Sequence, residues 1–196
     1  MTAGLRVVGG RLKGRPLKLP GRGTAEGRAL RPTADRVRES LFNVLAHGVE
    51  DFAIAGVTVV DVFAGTGALG LEAMSRGAGH AVFIDDAPAA LACVRENAAR
   101  LGLARAVTLL KLDARKLAPP PLAAKAPAGL VFLDPPYGSG LAPVALAGLA
   151  QKGWLKPGAV AVVEVEAEEP LTPPNGFTAF DERTYGRARL VFLRFD

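Results

Sequence analysis

A run of β-branched and apolar residues, Val59-Val60-Asp61-Val62-Phe63, breaks at Ala64-Gly65-Thr66-Gly67 and resumes as Ala68-Leu69-Gly70-Leu71, followed by Ala73 and Met74. The first part reads as a buried strand. The last part has the apolar spacing of a helix packed on a sheet. Glycines between a strand and a helix let the backbone approach a ligand where a Cβ would obstruct it. The first N–H groups of the new helix point at the same place. This stretch predicts a nucleotide-type pocket at the carboxyl edge of a parallel sheet.

The rest of the chain fits around that unit. Arg31-Pro32-Thr33 opens a helix, with Thr33 as its cap, that runs to about His47-Gly48 and buries Val37, Leu41, Val44 and Leu45. Strands are predicted over 57–63, 81–86, 107–112, 129–133 and 159–164. Helices are predicted over 68–76, from Pro88 to about Leu101, and over 142–151. Residues 178–184 and 188–195 read as a closing pair of strands joined at Tyr185-Gly186, and 114–128 is Pro- and Ala-rich and irregular. Alternating strands and helices predict an α/β, doubly wound, mostly parallel sheet. Ahead of it, Arg6-Val7-Val8-Gly9-Gly10-Arg11-Leu12-Lys13-Gly14-Arg15 predicts a short β-hairpin, and Lys18 to Arg31 a flexible basic loop. The division is thus a basic arm over 1–31 and a sheet domain over 32–196.

Charge is distributed unevenly. The 196 residues carry 24 Lys plus Arg against 19 Asp plus Glu, a formal net charge of +5. From Arg6 to Arg38 the only carboxylates are Glu26 and Asp35. A basic arm on a balanced domain suggests a polyanionic partner, although a solvated Arg-rich surface fits the same composition. Cys93 is the only cysteine, which excludes an internal disulfide and a cysteine-based zinc cluster; it reads as a small core residue. No metal ligand set is expected. No apolar run approaches the ~18 residues of a membrane span, and the expected location is cytoplasmic.

The acidic residues carry the chemistry. Gly65-x-Gly67-x-x-Gly70, with Asp85 about 20 residues on, matches a dinucleotide fingerprint, and a lone motif of this kind also fits an empty tight turn. Asp61, Asp85, Asp113 and Asp134 each close a predicted parallel strand, where the ends line one crevice. Carboxylates gathered there need hydrogen-bond donors. S-adenosylmethionine has an ammonium group, ribose hydroxyls, an adenine amine and a sulfonium cation. Asp61 is assigned to its amino-acid end, directly or through water, Asp85 to the ribose and Asp113 to the adenine amine. Asp134-Pro135-Pro136-Tyr137 is the sharper signal. An exocyclic base amine is a poor nucleophile because its lone pair is delocalised. Acceptors on its N–H bonds, the Asp134 carboxylate and the Pro135 carbonyl, would aim that lone pair at a methyl group. The two prolines hold the carbonyl rigidly, and Tyr137 offers a stacking face.

With those residues in hand, Asp61 to Ala73 and Asp134 to Tyr137 resemble class I S-adenosylmethionine-dependent methyltransferases acting on base amines. Arg6-Val7-Val8-Gly9-Gly10, Gly14-Arg15, Arg31-Pro32-Thr33, Asp35-Arg36-Val37-Arg38-Glu39 and Leu41-Phe42-Asn43 narrow the resemblance to the bacterial 16S rRNA guanine-N2 methyltransferases of the RsmD family, which modify nucleotide 966. The resemblance spans nearly the whole chain. It implies a Rossmann-like seven-stranded sheet with an antiparallel last strand and a small N-terminal hairpin that holds RNA. It implies a cofactor pocket of Asp61, Ala64, Gly65, Gly67, Asp85, Asp113 and Asp134, bordered by Thr33, with Asp134, Pro135, Pro136 and Tyr137 as the catalytic motif. The expected RNA contacts are Arg6, Arg11, Lys13, Arg15, Arg31 and Arg36, the expected partner is 16S rRNA in an assembling 30S particle, and the expected state is a monomer. The alternatives are a DNA adenine-N6 or cytosine-N4 methyltransferase, for which no target-recognition domain is visible, and an inactive RNA-binding relative.

Overall fold

The computed structural model describes residues 4–19 and 32–196, with 32–34 described in backbone only. Seven strands form one sheet: β1 (Thr58–Val62), β2 (His80–Asp85), β3 (Val107–Lys111), β4 (Ala128–Leu133), β5 (Leu155–Glu166), β6 (Phe177–Tyr185) and β7 (Ala188–Phe195). The helices are α1 (Pro32–His47), α2 (Ala68–Ser75), α3 (Pro88–Arg100) and α4 (Leu141–Gln151). The strand order is β3-β2-β1-β4-β5-β7-β6. The first five strands run parallel, and β7 lies antiparallel between β5 and β6. The order reverses between β1 and β4, and ligands of open α/β sheets bind outside the carboxyl ends at such a switch point.

The central strands are apolar at nearly every position because both faces are covered. Alternate residues serve opposite layers. Val59, Phe83, Leu130, Phe132 and Val162 pack with Phe42 and Leu45 of α1, Leu71 of α2 and Val94 of α3. Val60, Val62, Ile84, Val131 and Val163 pack with Leu146 and Leu149 of α4 and with Trp154. No helix among the described residues is long and apolar enough to cross a membrane.

Most predicted elements end within two residues of the observed ones, with two exceptions. Strand β5 starts four residues earlier than expected. Leu155 pairs with Ala128, and a register shift absorbs the exposed Lys156-Pro157-Gly158 that reads as a turn in sequence. The expected N-terminal hairpin does not form as two strands. Residues 5–17 make a narrow loop with one isolated bridge, Arg6 to Pro16, closed by a 3-10 turn at Gly10–Leu12. Its ladder is cut short because N–H groups bond to α2 instead. Val8 donates to Glu72 Oε2 at 2.8 Å and Leu12 to Ser75 Oγ at 2.9 Å. Gly10, at φ +71, lies so close to α2 that a Cβ would stand 2.1 Å from the Ser75 carbonyl oxygen. Leu5, Val7 and Leu17 are buried in the same cluster as α1 and α2. The predicted loop to Arg31 falls mostly outside the described residues.

Candidate active site

The site begins at the turn between β1 and α2. Gly65 and Gly67 take left-handed φ of 52° and 76°, and Phe63 shares that region at 61° without glycine's freedom. A residue of this kind costs on the order of 1–3 kcal/mol and persists only where its surroundings enforce it. Here they do. Ala64 donates to the Ile84 carbonyl at 3.2 Å and its own carbonyl accepts from Gly67 at 2.7 Å. Asp85 Oδ2 accepts from the Gly65 N–H at 3.0 Å while Oδ1 accepts from Ala87 N–H at 2.9 Å. A Cβ on Gly70 would stand 2.5 Å from Phe83 Cε1, so only glycine lets α2 lie this close to β2.

Asp61 is 2% exposed and accepts from the Gly70 N–H at 2.8 Å. Burial pushes its carboxyl up to about 8. The Gly70 bond opposes that shift, and Asp134 and Asp85 add repulsion. In the free protein at neutral pH this group is therefore largely protonated, and a cation brought beside it would return its charge.

The aspartates stand along the carboxyl edge as the sequence predicts. Asp85 ends β2, Asp134 directly follows β4, and Asp113 lies two residues beyond β3. Asp85 and Asp113 border a cavity of about 220 Å³ with Phe63, Ile84 and Leu112 as apolar lining. Both Asp113 oxygens accept from Arg115, from Nε at 2.9 and 3.1 Å and from Nη2 at 2.8 Å. This guanidinium, with the Arg115 N–H, holds the Asp113 carboxyl down at about 2. Nothing in the residue pattern marks Arg115 as its partner.

Asp134 leaves β4 beside β1, its N–H 3.5 Å from the Val62 carbonyl. Pro135 is buried, Pro136 is exposed and Tyr137 is half-buried. The Tyr137 hydroxyl donates to Glu164 Oε1 at 2.8 Å, and the Gly138 N–H donates to Glu169 Oε2 at 2.9 Å. Sequence reasoning missed Glu164. Its signal was present, since it follows the apolar run of β5 as the four aspartates follow theirs.

Five of the six basic candidates lie among the described residues. Arg11, Lys13, Arg15 and Arg36 are exposed, and Arg15 donates to the Arg100 carbonyl at 3.1 Å. Arg6 pairs with Asp35 at 3.3 Å. Arg31 and the Thr33 side chain lie outside the described residues. Arg38, which sequence reasoning quoted only for the resemblance, is 5% exposed and bonds both Asp35 and the Arg6 carbonyl, tying the N-terminal segment to α1.

The sequence family described as Conserved hypothetical protein 95 matches residues 5–194. Ribosomal RNA small subunit methyltransferase D of Escherichia coli (strain K12) is 38% identical over 187 residues, 93% of this chain and 86% of that protein. The protein of the same name from Haemophilus influenzae is 34% identical over 186 residues, 93% and 89% of the two chains. Among solved structures, a putative methyltransferase from Escherichia coli is similar over 99% of both chains, at 33% identity and a TM-score of 0.79. A putative methylase from Haemophilus influenzae covers 98% of this chain and 99% of its own, at 27% identity and a TM-score of 0.74.

Proposed function

The chain belongs to the family described as Conserved hypothetical protein 95, the RsmD family, and on that premise we propose that it transfers a methyl group from S-adenosylmethionine to a base amine of small-subunit ribosomal RNA. The finer reading is the N2 amine of a guanine in 16S rRNA, nucleotide 966 by resemblance, methylated while the 30S particle assembles in the cytoplasm.

One observation carries the reading. The glycine turn leaves β1 and the Asp134–Tyr137 motif leaves β4 side by side at the switch point, with Val62 and Leu133 in register. The residues present fit the cofactor. Buried Asp61 has a carboxyl that the Gly70 N–H bond only partly offsets against burial and the repulsion of Asp134 and Asp85, which suits an ammonium group. Asp85 keeps lone pairs for ribose hydroxyls beyond its two backbone bonds. The cavity beside Asp113 has apolar walls suited to an adenine ring.

When bound, S-adenosylmethionine supplies an electrophilic methyl group on sulfonium. The protein's task is to present the amine. Asp134 and the Pro135 carbonyl accept its two N–H bonds and aim the nitrogen lone pair. Tyr137 stacks on the base, with its ring angle set by Glu164. Positioning of this kind accounts for much of the barrier reduction in bimolecular transfers. A base inside folded RNA must first be turned out.

The test is methyl transfer from labelled S-adenosylmethionine to small-subunit particles lacking the modification, followed by nucleoside analysis. The expected product is N2-methylguanosine. Label in N6-methyladenine or N4-methylcytosine of DNA would replace this reading with a DNA amino-methyltransferase.

A further inference from the structure

Asn97 lies in α3, outside the sequence of every motif singled out above, and is 0% exposed. Its amide is used on both sides. Oδ1 accepts from the Lys18 N–H at 2.7 Å, and Nδ2 donates to the Lys18 carbonyl at 3.0 Å, so the side chain pairs with one N-terminal residue much as a neighbouring strand would. Nδ2 also donates to the Thr66 carbonyl at 3.0 Å, in the middle of the glycine turn. Cys93, one helical turn earlier, donates its thiol to the same Lys18 carbonyl at 3.2 Å. One planar group thus holds the basic N-terminal segment and the backbone of the glycine turn.

The pairing leaves little freedom. A buried amide that loses a partner has no water to replace it, and each such loss costs roughly 1–3 kcal/mol. Moving the turn alone, or residue 18 alone, breaks bonds at Asn97. A ligand that immobilises the turn therefore removes motion from the segment as well, and a ligand that immobilises the segment does the same for the turn. That coupling is reciprocal by thermodynamic necessity.

We propose that Asn97 is a positioning residue that couples cofactor binding at the glycine turn to ordering of the basic segment at residues 5–18, so that cofactor and RNA favour each other's binding. The proposal rests on the functional reading above. The segment presents Arg11, Lys13 and Arg15 at its exposed tip, and the coupling sets that tip for phosphate contact when the methyl donor is in place.

The experiment is amide hydrogen exchange of the full chain with and without S-adenosylhomocysteine. In the wild-type protein, the ligand is expected to slow exchange at Gly70, the α2 amide that donates to Asp61 just after the turn, and, by roughly tenfold, at the segment amides Val7, Gly14 and Leu17. Asn97→Asp keeps the volume and the acceptor and loses both donors. Asn97→Ala, which adds no charge, serves if the first variant does not fold. In either variant the ligand should still slow Gly70 and leave the three segment amides unchanged. The proposal is overturned if those amides respond equally in the variants, or if in the wild type Gly70 slows and they do not. If S-adenosylhomocysteine slows no amide of the wild type, the functional reading itself fails, and the coupling with it.

Discussion

Tyr137 donates its phenolic hydrogen bond to Glu164 over 2.8 Å, across neighbouring strand ends β4 and β5. The bond joins the stacking face of the proposed catalytic motif to a carboxylate outside it. Tyr137→Phe keeps the ring and loses the bond. A hydrogen bond to a charged group contributes about 1.5–3 kcal/mol, so turnover should fall by about tenfold or more while affinity for S-adenosylhomocysteine stays unchanged. Tyr137→Ala should fall further, because the ring face is lost too. Single-turnover methyl transfer, with cofactor affinity measured in parallel, reads both. Equal turnover in Tyr137→Phe and wild type would remove Glu164 from the mechanism.

If Asp61 receives the cofactor's ammonium group, as proposed, cofactor affinity should depend on pH. Its carboxyl stands at about 8 in the free protein, above its ordinary value of 3.8. A raised pKa favours the folded state while the group is protonated. That contribution is complete below about pH 4 and is lost as pH rises through about 8. If an ammonium group ionises Asp61 on binding, binding releases a proton. Affinity for S-adenosylhomocysteine should then rise by about tenfold per pH unit from about pH 6 and level off above about pH 8. Calorimetric titration in buffers of different ionisation enthalpy counts the proton directly. Asp61→Asn should bind more weakly and flatten the profile.

The exposed tip of the N-terminal segment should govern salt dependence. Each phosphate contact on single-stranded nucleic acid contributes a slope of about −0.7 to log K against log salt. Replacing Arg11, Lys13 and Arg15 together by Gln should weaken RNA binding and make that slope shallower by about 2. Binding curves at several salt concentrations decide the matter, and an unchanged slope assigns the phosphate contacts elsewhere.

Gly70 is set by the packing of α2 on β2. Gly70→Ala places a Cβ 2.5 Å from Phe83 Cε1 and 3.1 Å from Asp61 Oδ2. Overpacking of this kind costs about 1–3 kcal/mol, which for a chain of this size lowers Tm by about 3–10 °C. Thermal melts should show that loss even without ligand. A variant as stable as wild type would mean that α2 can move away from β2.

The parts of this architecture legible in the sequence are those where local pattern and tertiary role coincide. The run from Val59 to Met74 announces strand, turn and helix because both faces of β1 are buried and its turn needs glycine. The strand-closing aspartates are visible for the same reason. The residues that escape notice have distant partners. Asn97 sits 79 positions from Lys18 and 31 from Thr66, and fully buried Glu72 meets Val8 over 64. No periodicity announces a polar residue whose partner arrives from elsewhere in the chain. The shortness of the N-terminal ladder, one bridge and three backbone bonds rather than two full strands, has the same origin. The alternation from Arg6 to Arg15 suits a strand, but the N–H groups of Val8 and Leu12 are taken by Glu72 and Ser75.

Strand β6 is the last of its sheet and, among the described residues, is paired on one side only, by β7. Its pairing shifts register between Ala179 and Asp181, and the stretch that follows is Asp181-Glu182-Arg183, with Asp181 and Arg183 in an ion pair at 3.0 Å. A bulge and a cluster of charges are poor templates for an incoming strand. A second copy laying its own β6 alongside would have to desolvate those charges and match a distorted ladder. The fold thus makes this margin of the sheet unattractive to an incoming strand.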